Sequence, residues 1–300
     1  MSENIELILV PCHSIWKSSA QSSNGTINLG QLPDYWHLAP FQYEGNDHLA
    51  FIKHGLTAIK LLLQRMNHAT VIFSGSQTKK QAGVISEAQS YYFLCEKLIR
   101  YAMCNDNISI PGFDDELRLL LQDIKRFLIG KRIDIDELFY GGSITTEEFS
   151  LDSLDNLIFS MYRFKEVTNR FPQKITIIGF AFKMERFVNC HAMAIDYPRS
   201  NIHYIGIDPK PTNYSEEQLE KYYGDLVKLE HSNALNLFFS DWYATREPLV
   251  AKKKSRNPFN RTAPYTHSDL LFNSYMRTED DKKYFEKNIK DKMPWSSFDK

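Results

Sequence analysis

Two hydrophobic periods alternate along the chain. Residues 5–10, IELILV, are a short and nearly continuous apolar run, the signature of a strand buried on both faces. From 49 to 66 the apolar residues Leu49, Ile52, Leu56, Ile59 and Leu63 fall three and four apart, the stripe of an amphipathic helix. TVIF at 70–73 is a second buried strand, followed at once by Ser74, Gly75 and Ser76. A helix over 84–103, two irregular or helical segments up to residue 132 and a strand over 138–140 come next. Residues 153–168 place Leu154, Leu157, Ile158, Met161 and Phe164 on one helical face. Runs at 174–178 and 202–207 are the third and fourth clear strands, the last ending in Asp208 and Pro209.

Buried strands separated by helices predict a Rossmann-like, three-layer α/β sandwich around a mostly parallel central sheet. Right-handed crossovers put every strand's C-terminal end on one edge of such a sheet. That edge would gather Cys12 and His13, Ser74 to Ser76, the segment 179–186 and Asp208. Residues 17–48 are polar and then aromatic (Trp36, Phe41, Tyr43), a loop of the length that is often functional. No internal repeat is found. After about residue 249 the chain turns basic and then polar. The organisation expected is one α/β domain over 1–245 and a C-terminal extension over 246–300, packed on the domain as an extended tail.

Composition adds limits. Of 300 residues, 43% are hydrophobic and 24% charged, which is ordinary for a globular protein with an ample core. A formal net charge of −1 gives no global pull towards nucleic acid or anionic membranes. The run AKKKSRNPFNR, 251–261, holds five positive residues and reads first as a solvated face; nothing else suggests a nucleic-acid module. Cys12, Cys95, Cys104 and Cys190 form no CxxC pair, so free thiols in a reducing compartment are expected. MSENIELILV carries an acid where a signal peptide carries positive charge, and no apolar run approaches the ~20 residues that span a bilayer. A soluble, cytoplasmic protein is the expectation.

Candidate chemistry falls in four places. FSGSQ, 73–77, is a strand and small-residue loop whose N–H groups suit an anion, or an ordinary strand-to-helix turn. It is neither GxxxxGK[ST] nor GxGxxG, which argues against a classical ATP or NAD site. Glu87 stands at a helix start, where it suits the dipole; beside a ligand loop it binds a hydroxyl or acts as a base. In EEFSLDSLDN, 147–156, Asp152 or Ser150 caps the helix and Asp155 lies in its first turn. Capping leaves Asn156 and the Glu147–Glu148 pair unexplained. Acids so close need a cation, either lysine and arginine from elsewhere or a divalent metal held by Glu148 and Asp152. GFAFKMERF, 179–187, offers that charge. Its Lys183 and Arg186 are three apart, and Arg186 suits a phosphate or carboxylate, or pairing with the acids of 147–155. His13 at a strand end is a candidate acid or base, set against the commoner structural histidine; His191 has no role assigned.

In order, Ser74–Gly75, then Ser86–Glu87–Ala88, then Glu147-x-x-Ser150-x-x-Ser153-x-Asp155–Asn156 and Phe182-x-x-x-Arg186 resemble the motifs of the YdcF/SanA/ElyC-like family, domain of unknown function 218. That family carries SGG, SEA, ExxSxxTxEN and HxxR. The resemblance spans residues 5–208, and RNPFNRTAPY further resembles the larger eukaryotic, fungal-type branch. It implies a Rossmann-like fold, one pocket lined by the motif residues, and S-adenosylmethionine as a ligand class, from a bacterial member. Envelope functions of anchored bacterial members do not carry over. Ser76 replaces the second glycine, and Lys183 the histidine.

Three functions compete. The first is a hydrolase or transferase acting on a phosphorylated or nucleotide-like small molecule, with His13, Glu87 or Asp155 moving protons. The second is a binding or sensor module for an S-adenosylmethionine-like ligand. The third is a protein-interaction scaffold using residues 31–51 and the basic tail.

Overall fold

A computed structural model describes residues 5–20, 25–66, 68–265, 280–296 and 298. Five strands, β1 (Glu6–Pro11), β2 (Ala69–Ser74), β3 (Ile144–Glu147), β4 (Lys174–Gly179) and β5 (Ile202–Gly206), pair in parallel in the order β3-β2-β1-β4-β5. The period of two divides their side chains between two cores. Ile8, Val10, Val71, Phe73 and Ile178 face one side, against α1 (Asp47–Gln64), α2 (Glu87–Cys104) and α3 (Asp115–Lys131). Leu7, Leu9, Ile72, Ile175 and Ile177 face the other, against α5 (Ser153–Thr168), once α4 (Ile135–Tyr140) has been passed. Both faces are covered, as an all-parallel sheet requires. The Rossmann-like three-layer expectation is what is found.

Differences are local. The strand expected over 138–140 is helix α4. Asp134 caps it, accepting from the N–H groups of Asp136 (2.7 Å) and Glu137 (3.2 Å), and Leu138 and Phe139 are its buried face. The edge strand is ITTE, pinned by Val71 opposite Ile144; four residues with two threonines give no apolar run to detect. In the 17–48 loop, Trp16 and Trp36 bridge each other, and Trp36 is buried and donates to the Gly30 carbonyl at 2.8 Å. Part of that loop and of the 246–300 extension lies outside the described residues.

After β4 a π-helical stretch, Arg186–His191, runs into the short α6 (Ala192–Ala194). Beyond β5 come α7 (Glu216–Glu230), α8 (Asn236–Ser240), α9 (Leu249–Ser255) and α10 (Asp281–Asn288). The extension is thus partly helical rather than extended, and it enters the second core. Trp295 is fully buried, donates to the Ile195 carbonyl at 2.7 Å and meets Phe171 edge-on at 5.0 Å. Among the described residues no helix is long and apolar enough to cross a membrane.

Candidate functional site

The chain runs from β1 to β2 and β3 on one side of the sheet, then returns to β4 and β5 on the other. The order therefore reverses between β1 and β4, and open α/β sheets bind ligands in the crevice outside the strand ends at such a point. His13 follows β1, Phe180 to Arg186 follow β4, and α1 supplies Asp47 and His54. The His13 ring stacks on Phe180 (4.8 Å, 13°) and meets His54 edge-on at 6.2 Å; Phe180 stacks on Phe182 at 5.0 Å. The Lys183 ammonium lies over Phe180 at 4.9 Å and Phe182 at 5.7 Å.

These groups are polarised by their surroundings. Burial, then the charge of Lys183, pushes the His13 imidazolium well below its usual range, so the ring is neutral. His54 Nε2 is 2.8 Å from the Ile207 carbonyl, which only accepts; the hydrogen is on Nε2 and Nδ1 is bare. Burial holds His54 at about 4. The Asp47 carboxyl is pushed up to about 7 by burial, with Lys183 opposing. Lys183 itself is lowered to about 8 by burial and then Arg186. Arg186 Nε lies 3.2 Å from Glu230 Oε1 at the end of α7, an ion pair whose geometry is not that of a hydrogen bond. The charge of Arg186 is therefore met by Glu230 and not by the acids of 147–155.

A second cluster joins β2, β3 and α5. Glu147, not Glu148, is its hub. The Glu147 carboxylate accepts from Ser74 Oγ (2.8 Å), Ser150 Oγ, the Phe149 N–H (2.7 Å) and Tyr265 OH (3.3 Å). Asn156 Nδ2 donates to Ser74 Oγ at 2.9 Å, while Glu148 turns away to accept from Thr146 at 2.8 Å. The Gly75 and Ser76 N–H groups, read from sequence as either an anion cradle or an ordinary strand-to-helix turn, donate to the carbonyls of Glu147 (3.0 Å) and Ser150 (3.2 Å). Ser86 caps α2 in a reciprocal pair with Gln89. Glu87 follows it, accepts from Thr78 Oγ1 at 2.5 Å, and burial raises it to about 7. Gly75 permits that approach, since a Cβ there would sit 2.8 Å from Glu87 Oε2.

The third cluster answers the acids of 152–155. Asp152 caps α5 through the Asp155 N–H at 2.9 Å. The cation beside both is Lys253 of α9, its Nζ 2.7 Å from Asp155 and 3.1 Å from Asp152. Burial alone would lower Lys253; the two carboxylates more than offset it and hold the ammonium above the ordinary lysine range. Burial and then Asp152 raise Asp155. Arg256 donates to the Leu151 carbonyl (3.0 Å), and Arg261 to that of Glu148 (2.8 Å). Three of the basic run's five cations, Lys253, Arg256 and Arg261, thus clamp this loop, while Lys254 and Arg256 also lie on an exposed face. The sequence carries a signal for it: Leu249, Val250 and Lys253 share one helical face, and all three are buried. Glu148 and Asp152 do not fit a divalent ion, and among the described residues no three histidine, cysteine or carboxylate side chains converge as metal ligands.

Ser153 Oγ is 2.7 Å from Nε2 of His191, a fully buried ring that had no role from sequence and sits edge-on to Phe187 and Phe238. Two clefts open elsewhere. One of about 420 Å³ lies at the opposite, N-terminal edge of the sheet, around Glu6, Arg65 and Thr176, where Arg65 already pairs with Glu6. One of about 280 Å³ lies between Leu151 and Arg261. Neither is lined by His13, Asp47, His54, Lys183 or Arg186; what marks the strand ends of β1 and β4 as the candidate site is the switch point and the unpartnered polar atoms gathered there.

No protein-family profile matches the chain, and no solved structure matches it. It is 71% identical over 300 residues, 99% of each chain, to the uncharacterized protein YOR238W of Saccharomyces cerevisiae.

Proposed function

We propose, for a chain that belongs to the family of Saccharomyces cerevisiae YOR238W, that the crevice between the ends of β1 and β4 binds a phosphorylated or nucleotide-like small molecule. One observation carries the reading. Three buried polar atoms there have neither a hydrogen bond nor an ion pair among the described residues: His13 Nε2, Asp47 Oδ1 and His54 Nδ1. Native interiors leave few such atoms, and each costs about 1–3 kcal/mol, so a concentration of them at a switch point marks groups kept for a ligand. Lys183 and Arg186 supply the positive charge for an anion, and the stacked Phe180 and Phe182 supply a wall for a ring system.

As a hydrolase or transferase, the site would use neutral His13 as proton acceptor, with Glu87 able to give or take a proton near pH 7. Asp155, tied to Lys253, fits a structural role better than a catalytic one. The motif resemblance to the YdcF/SanA/ElyC-like family supports the same edge of the sheet. A non-catalytic sensor of an S-adenosylmethionine-like ligand is favoured by one difference, Lys183 in place of that family's histidine.

Thermal shifts with pyrophosphate, ADP and S-adenosylmethionine, on wild type and Arg186→Ala, test the site. A ligand at 100 times its Kd adds about 2.7 kcal/mol to native stability. The shift is expected with phosphorylated ligands and is lost in Arg186→Ala relative to that variant's own ligand-free Tm. Equal shifts in both proteins, or none with any anion, would remove the assignment.

A further inference from the structure

Lys183 differs from the other cations around the site. Arg186 is met by Glu230, Lys253 by Asp152 and Asp155, and Arg256 and Arg261 by backbone carbonyls. The Lys183 side chain makes no hydrogen bond or ion pair among the described residues. It is half-buried, lies over the faces of Phe180 and Phe182, and has Arg186 one helical step away. The ring faces favour the ammonium, but partial burial and the second cation oppose it, and an amine desolvated beside another cation is one way proteins make a lysine nucleophilic. Its pKa of about 8 leaves far more of it as free amine at pH 7 than an exposed lysine has. Neutral His13, stacked on the same Phe180 with Nε2 unpartnered, offers one unprotonated ring nitrogen as a proton acceptor at the same wall.

We propose that Lys183 forms a Schiff base with the aldehyde or ketone group of an anionic small molecule whose charge is held by the terminal Nη groups of Arg186, its Nε being the atom that faces Glu230. This rests on the anion-binding reading above and names its substrate class. The amine lone pair attacks the carbonyl carbon, and the C=O π pair passes to oxygen. The carbinolamine expels that oxygen as water, which carries off the two amine protons, and C=N replaces C=O. The unprotonated ring nitrogen of His13 relays protons from nitrogen to oxygen. No oxidant or reductant takes part.

Pyridoxal 5′-phosphate, an aldehyde bearing a phosphate, is the probe, with sodium borohydride to reduce and fix any imine on the full-length protein. Peptide mass spectrometry should find Lys183 labelled at least about tenfold more than exposed lysines such as Lys228, with labelling rising as pH passes through about 8. Lys183→Arg keeps the charge and should abolish that label while preserving the Tm; Lys183→Met gives a second, uncharged check. Pyridoxine 5′-phosphate, with an alcohol in place of the aldehyde, reads anion binding alone. If it shifts the Tm while pyridoxal 5′-phosphate leaves Lys183 no more labelled than Lys228, the Schiff base is overturned and the anion site stands. If neither occurs, both readings fall.

Discussion

At pH 7 Glu87 holds about half a proton in the fold, where a solvated glutamate has lost it. Burial at the first turn of α2, against Gly75, is the cause, and the Thr78 hydroxyl only partly compensates. The sign follows from linkage. A carboxyl whose folded pKa is raised binds its proton more tightly folded than unfolded. Its contribution is fully present below the unfolded value of 4.5 and is lost as pH rises through about 7. Glu87→Gln keeps the acceptor for Thr78 and removes the charge. We expect the variant to gain on wild type by an amount that grows between about pH 5 and about pH 8, towards a ceiling on the order of 3 kcal/mol. Urea denaturation of both proteins across that window checks it; a difference independent of pH would refute it. Buried neutral His13 and His54 have the opposite slope, which is why the comparison with wild type is needed. At this scale the sequence was informative about residue types at strand ends and uninformative about directions. Ser74 Oγ meets both Ser150 Oγ and Asn156 Nδ2. Between Glu147 and Glu148, only the end of β3 decides which carboxylate turns inward.

The elements themselves were readable wherever one period ran unbroken. Residues 153–168 match α5 to the residue because Asp152 caps it and five apolar positions repeat three and four apart. Where periodicity was short, composition misled: LFY looked like a strand, yet Leu138 and Phe139 are the buried face of a short capped helix and Tyr140 is exposed. The basic run misled for another reason. Its charges dominate its composition, yet α9 has a narrow apolar face onto which Lys253 is carried by spacing. That makes Lys253 the fastener between α9 and α5. Removing one partner of a buried ion pair leaves the rest uncompensated, typically at a cost of about 3–5 kcal/mol. Lys253→Ala is therefore expected to lose stability of that order, and Lys253→Ala with Asp155→Asn to recover part of it. A double-mutant cycle in urea measures the coupling; additive losses would mean the three groups do not share an electrostatic site.

For the whole molecule, four buried strands and their intervening helices were enough to reach a parallel sheet. The order β3-β2-β1-β4-β5 was not legible, because it depends on which side of β1 each crossover lands. That order creates the switch point, and so determines which strand ends are neighbours: His13 and Lys183 sit 170 positions apart in sequence, and the Lys183 charge helps to keep the His13 ring neutral. The same scale decides what the C-terminal residues are for. Ile289, Met293 and Trp295 fill the second core beneath Phe171 and Tyr197, and Arg246 pairs with Asp281. Fully burying such side chains is worth about 1.5–3 kcal/mol each, so three of them together with Lys253 approach the 5–15 kcal/mol net stability of a typical domain. A chain ending at residue 245 is expected to lose its cooperative urea transition and its near-ultraviolet circular dichroism, because Phe171, Tyr197 and the Asp152–Asp155 pair are uncovered at once. If the shortened chain unfolds in one sharp step at the wild-type midpoint, residues 246–300 are an appendage, and the second core closes without them.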